Sequence, residues 1–239
     1  MYADLGSLYV THGKECHLIT VSENVITSTR IDELCTKQEE AYTRILLHAS
    51  HAAPQGHKCI IIRSPDTDIA VLACSFSHTI EARILFCTGT KQRLRYIDVT
   101  AIGTSLDAEV CQALPGMHAF TGCDSTSAFV GKGKKQAFQL VKSDRDMCNI
   151  MKAVGTSFDV SEEQLDGCER FVCAMYGHND TDINSVRYKL FCSKNAQTCH
   201  LPPTKDALKN HVARVNYQAC IWKRSLQCDA VKPSPDGHG

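Results

Sequence analysis

Lys58-Cys59-Ile60-Ile61-Ile62-Arg63-Ser64-Pro65-Asp66-Thr67-Asp68 is the stretch on which the fold reading turns. Its Cys-Ile-Ile-Ile run is short, uninterrupted and mostly β-branched, the pattern of a strand buried on both faces of a parallel sheet. Ser64-Pro65 stops the run, because proline has no N–H to give to a strand ladder. Two carboxylates, Asp66 and Asp68, then stand just past the strand's C-terminal end. Open α/β sheets place their ligands at such ends.

The flanking sequence extends the pattern. Ile69 to Phe76 is apolar again, and Arg83 to Cys87 reads as a strand. Leu94 to Val99 alternates partly, with Arg93 and Arg95 set against Leu94 and Tyr96, as a half-exposed strand would. Upstream, Gln38 to Ala53 has no Gly or Pro and places Ala41, Ile45, Ala49 and Ala52 at helical spacing before Pro54 and Gly56. His17 to Val21 is a further strand. Strands separated by helical patterns predict an α/β fold with a mostly parallel sheet flanked by helices.

From Ser105 onward, helical patterns dominate. They cover Asp107 to Ala113 (ended by Pro115-Gly116), Gln136 to Val141, Asp144 to Val154, Ser161 to Tyr176 and Asp182 to Phe191. The last helix follows Pro202-Pro203 with Thr204 as its N-cap. Leu208, Val212, Val215, Ala219, Trp222 and Leu226 form its apolar stripe. The stripe suits packing within the chain, and a helix-mediated protein partner through residues 204–227 is the alternative. The expected organisation is a sheet-bearing region at 1–142, a helical region at 143–231 and a flexible tail at 232–239.

Composition narrows the function classes. The chain has 239 residues, 26 basic and 26 acidic side chains, 43% hydrophobic residues and no formal net charge. These values exclude a disordered charged tail, a collagen-like chain, a coiled-coil rod and a uniformly basic nucleic-acid coat. A local basic patch stays open. No apolar run approaches a membrane span, and Met1 to Val10 lacks the basic-then-apolar pattern of a secretory leader. An intracellular protein, nuclear or cytoplasmic, is expected. Its 14 cysteines include no C-x-x-C pair, so most are expected to be reduced and buried.

Four segments carry candidate chemistry: Gln38-Glu39-Glu40-Ala41 opening a helix, Asp66-Thr67-Asp68, Thr121-Gly122-Cys123-Asp124, and Gly131-Lys132-Gly133-Lys134-Lys135 opening another helix. Paired carboxylates repel unless a cation lies between them, and oxygen-only ligands favour Mg²⁺ or Mn²⁺ over zinc. Asp66 and Asp68, joined by Asp124 and Glu40, would suit a two-metal site for phosphodiester cleavage. Asp after Pro also serves as a turn or cap residue. The glycine–lysine segment offers backbone N–H groups and ammonium groups at a helix N-terminus, which suits a phosphate backbone. It lacks the spacing and hydroxyl of a P-loop.

The order of these segments resembles the flap-endonuclease and XPG-like branch of the PIN-domain nucleases. There, a helix with Glu-Ala-acid precedes a strand ending in acid-x-acid, then Gly-x-Asp, then a Gly-x-Gly helical hairpin that grips duplex backbone. Here these read Glu40-Ala41-Tyr42, Asp66-Thr67-Asp68, Gly122-Cys123-Asp124 and Gly131-Lys132-Gly133 with Ala137 four residues on. The likeness covers Cys16 to Val141. Segments around "SPDTD" and "HAFTGCDSTSAF" also resemble mobile-element-derived animal open reading frames.

The resemblance implies a Mg²⁺- or Mn²⁺-dependent nuclease, with Asp66, Asp68, Asp124 and Glu40 holding metal. Gly131, Lys132, Gly133, Lys134 and Lys135 would hold nucleic acid, DNA ranked ahead of RNA. Two departures stand against catalysis. Tyr42 replaces an acid, and a phenol is a poor ligand at neutral pH. No strand ending in Asp precedes Gln38, and Asp4 comes too early to follow one. The resemblance therefore implies either a domain without its first strand or a catalytically degenerate one that binds nucleic acid or protein.

Weaker candidates complete the set. Cys192, Cys199 and His200 are a loose metal set, and His48 and His51, with His57 following, offer two imidazoles at i, i+3 with no obvious third ligand. His118 suits a structural role more than a catalytic one. Cys123 has no assignable His partner for nucleophilic work. Lys91, Arg93 and Arg95 could touch phosphates from one strand.

Overall fold

The computed structural model describes residues 6–23, 25–38, 40–90, 92–193 and 197–228. Asp4, Glu39, Lys91 and the tail at 232–239 lie outside the described residues.

The chain is α/β, but the expectation of a mostly parallel, PIN-like sheet is overturned. The strands form two three-stranded sheets. The first is an antiparallel meander of β1 (Leu8–His12), β2 (Glu15–Ser22) and β3 (Val25–Arg30). The second is mixed: β4 (Cys59–Arg63) runs parallel to β5 (Arg83–Thr90), which pairs antiparallel with β6 (Arg93–Asp98).

Loop length is the physical reason. Thr90 pairs with Arg93 and His12 pairs with Glu15, so only two residues separate the paired strands in each case. A two-residue turn can only reverse the chain, whereas a parallel crossover needs a dozen residues or more. Gly13, at positive φ, relieves the turn between β1 and β2, and Gly89 takes positive φ within β5 opposite Leu94.

The decisive strand is also less buried than its composition predicts. Ile62 is buried, but Ile61 on the opposite face is 57% exposed. Ile62, Ile84 and Phe86 point into the core, while Ile61, Leu94 and Tyr96 of the second sheet remain exposed to solvent.

Helix α1 (Ala41–Ala52) begins three residues later than the periodicity suggests, with Glu40 as its N-cap position. The apolar run after Asp68 is a helix, α2 (Asp68–Ser75), followed after the second sheet by α3 (Val99–Thr104). Helix α4 (Ala108–Phe120) passes straight through Pro115-Gly116, where a stop was expected. Almost every residue from Val110 to Phe120 is buried, so packing on both sides outweighs the hydrogen bond that proline removes.

The remaining helices are α5 (Lys134–Ser143), α6 (Arg145–Ala153), α7 (Glu162–Met175), α8 (Ile183–Phe191) and α9 (Lys205–Lys223). Side-chain caps start four of them. Asp144 accepts from the Asp146 and Met147 N–H groups, and Ser161 from Gln164. Asp182 accepts from Asn184 and Ser185, and Thr204 from Ala207.

Helix α4 sits centrally, against α2, α5, α6 and α9. One apolar cluster runs from Leu46 through Phe86, Phe120 and Phe171 to Trp222. The stripe Leu208, Val212, Val215, Ala219 and Trp222 belongs to that cluster, so the chain itself covers it. No helix among the described residues is long and apolar enough to cross a membrane.

Candidate functional site

The end of β4, the start of α1, the C-terminal end of α4 and the start of α5 meet at one end of the molecule, roofed by α9. Four carboxylates come there. Glu40, Asp66, Asp124 and Asp68 each push the half-buried Tyr42 phenol upward, adding to the larger effect of its burial.

Each carboxylate but Asp124 is engaged by a protein group. Glu40 Oε2 accepts from the Trp222 indole N–H at 2.8 Å, and Oε1 accepts from Gln218 Nε2 at 2.8 Å. Ser125 Oγ in turn donates to Gln218 Oε1 at 2.7 Å. Asp66 folds the strand end into a turn: its N–H donates to Ser64 Oγ at 3.1 Å, and its Oδ1 accepts from the Asp68 N–H at 2.9 Å. Asp68 Oδ1 lies 3.0 Å from His118 Nε2. Beyond that contact, both buried ring nitrogens of His118 lack a hydrogen-bond partner among the described residues. Asp124 is exposed in the turn after α4.

His118 is buried, with its ring 5.4 Å from that of Trp222. Burial holds its imidazole below the usual histidine range, and Lys134 pushes the same way against Asp68 and Asp66. Lys134 turns inward. Its ammonium donates to the His118 carbonyl at 3.2 Å, to Thr121 Oγ1 at 3.5 Å and to the Gly122 carbonyl. It thus satisfies free carbonyls at the end of α4, where a cation also suits the helix dipole. Burial lowers its pKa, with Asp68 and Cys123 opposing.

The glycine–lysine segment is therefore divided in role. Gly131 adopts positive φ (71°), and a Cβ added there would meet His200 Nδ1 at 3.3 Å. Lys132 Nζ lies 4.8 Å from the centroid of the Tyr176 ring, a cation–π contact. Gly133 caps α5 with open space around it, and Lys135 is exposed.

Among the described residues, no three His, Cys, Asp or Glu side chains are gathered closely enough to hold a metal ion. The carboxylates share one end of the molecule without converging on one point. Their arrangement does not fit the Mg²⁺ or Mn²⁺ expected at Asp66, Asp68, Asp124 and Glu40.

The same holds for the weaker candidates. His48 contacts Thr11 Oγ1 at 3.0 Å, and His51 contacts Gln55 Nε2 at 2.5 Å. Cys192 and Cys199 are exposed. Cys123 Sγ contacts Ser125 Oγ and Thr126 Oγ1. Arg93 and Arg95 lie exposed on β6.

Sequence reading missed the α9 residues that hold Glu40. Trp222 is the only tryptophan, and it was visible only as a member of the apolar stripe. Gln218 carries no motif at all.

No protein-family model matches the sequence, and neither a curated protein nor a solved structure is significantly similar to it.

Proposed function

We propose that this chain is a nucleic-acid-binding module that retains the motif order of a flap endonuclease without its metal-dependent cleavage. The carrying observation is the engagement of Glu40, whose two oxygens both accept from α9. In this reading Trp222 and Gln218, with one donor on each oxygen, tie the Glu40 carboxylate to α9 as part of the scaffold. Asp66 is likewise drawn into its own turn, and Asp68 into contact with His118.

The binding surface in this reading is the helix–turn–helix of α4 and α5. Gly133 leaves the first backbone N–H groups of α5 open to a phosphate, and Lys135 and Lys132 lie beside them. Lys134 serves the scaffold instead, since its ammonium holds the end of α4. The motif resemblance supports DNA ahead of RNA as the partner.

A mobility-shift assay on duplex and flap DNA, run with Mn²⁺ and followed by a denaturing gel, tests the reading. Retarded but intact DNA is expected, with retardation weakened in Lys132→Ala/Lys135→Ala. Cleavage that disappears in Asp66→Ala would restore the nuclease reading and overturn this one. Unchanged retardation in the double variant would remove the turn from the interface.

A further inference from the structure

A mostly apolar pocket opens between residues of α2, α4, α6 and α9. Its volume is 510 Å³, within the range of small-molecule sites. Phe76 and Pro115 supply apolar wall, Gln112 and Asn149 supply amides, and Lys152 and Lys223 supply ammonium groups.

The charge at this pocket is unbalanced. Lys223 Nζ donates to the Lys152 carbonyl, a neutral group. Among the described residues, the titratable groups acting on Lys223 are Cys220, Arg224 and Lys152, and no carboxylate is among them. Cys220 is a buried thiol whose pKa burial pushes up, so it brings no negative charge at neutral pH. The neighbouring Lys152 faces Glu109 at 3.4 Å, but Arg145 shares that carboxylate at 3.0 Å. Burial, then Arg224 and Lys152, bring the Lys223 ammonium down to about 8. A half-buried ammonium near a second one, met among the described residues only by a carbonyl, is a site short of an anion.

We infer that this pocket binds a small organic oxyanion, a phosphate or carboxylate carried on an apolar body. Lys223 and Lys152 take the anionic group, Gln112 and Asn149 donate from their amides, and the body lies on Phe76 and Pro115. The inference does not rest on the nucleic-acid reading, because none of these residues belongs to the α4–α5 turn.

Pulse labelling of the full chain with an amine-reactive succinimidyl ester, read lysine by lysine by mass spectrometry, tests it. Phenyl phosphate and benzoate are the probes, and Lys209, exposed and outside both sites, is the control. At pH 7, about 10% of an amine with a pKa near 8 is free base, against under ~0.1% for an ordinary lysine. Lys223 should therefore label readily. One of the probes should slow it at least ~5-fold and move its labelling midpoint to higher pH, since a bound anion favours the charged form. Protection by phenyl phosphate alone assigns a phosphate, and protection by benzoate alone a carboxylate. Lys152→Gln should weaken the protection. Unprotected Lys223, an unmoved midpoint, or equal slowing of Lys209 would overturn the inference, and the midpoint needs no variant to fold.

Discussion

Glu40 accepts from two neutral donors, so removing its side chain leaves the Trp222 and Gln218 N–H groups unsatisfied at a half-buried site. Orphaned donors of this kind cost about 1–3 kcal/mol. Glu40→Ala should lower stability by that order in urea unfolding. A loss no larger than that of an exposed substitution would mean that the two bonds are weak in solution.

His118 gives a pH test. Burial depresses its pKa in the folded state, and also those of His211 and His48. Below about 6.5, the ordinary value, the unfolded chain binds protons that the folded chain resists. Stability should therefore fall as pH drops from 7.5 through 6.5 towards 5.5, and His118→Gln should make the fall shallower. A melting temperature flat over that range would contradict the assigned burial.

At this scale the motifs were legible, because short acid and glycine patterns are contiguous in sequence. The partners of Glu40 were not. Gln218 and Trp222 lie 178 and 182 residues away along the chain, and only folding brings them near.

Elements were legible where local chemistry decides and illegible where packing does. Asp144, Ser161, Asp182 and Thr204 mark helix starts in the sequence, and each accepts a backbone bond in the structure. Strand direction was misread because a short apolar run indicates a strand without indicating its neighbour's direction; the short separation of Thr90 from its partner Arg93 carried that information. Helix α4 crosses Pro115 because its surroundings bury it.

The next residue, Gly116, explains how closely α4 packs. A Cβ there would lie 2.2 Å from the Met151 carbonyl oxygen of α6. Gly116→Ala should force the helices apart and cost about 1–3 kcal/mol, the range for overpacking. Thermal unfolding that matches the parent chain would show that α4 and α6 pack less closely than this.

The whole molecule carries no net charge, yet its charges are segregated. Acidic groups gather around Tyr42, lysines mark the α5 turn, and two more ammonium groups face the pocket beneath α6 and α9. The joint core from Leu46 to Trp222 couples them, since α9 both holds Glu40 and carries Lys223. The central claim is binding to a phosphate backbone without cutting it. The direct measurement is fluorescence anisotropy of a labelled duplex in Mn²⁺ across a salt series, with the DNA's length checked afterwards. The account predicts intact DNA, affinity that falls with salt, and a log–log slope shallower by up to ~2 in Lys132→Ala/Lys135→Ala. Salt-independent or absent binding, or DNA cut by the parent chain but not by Asp66→Ala, would contradict it.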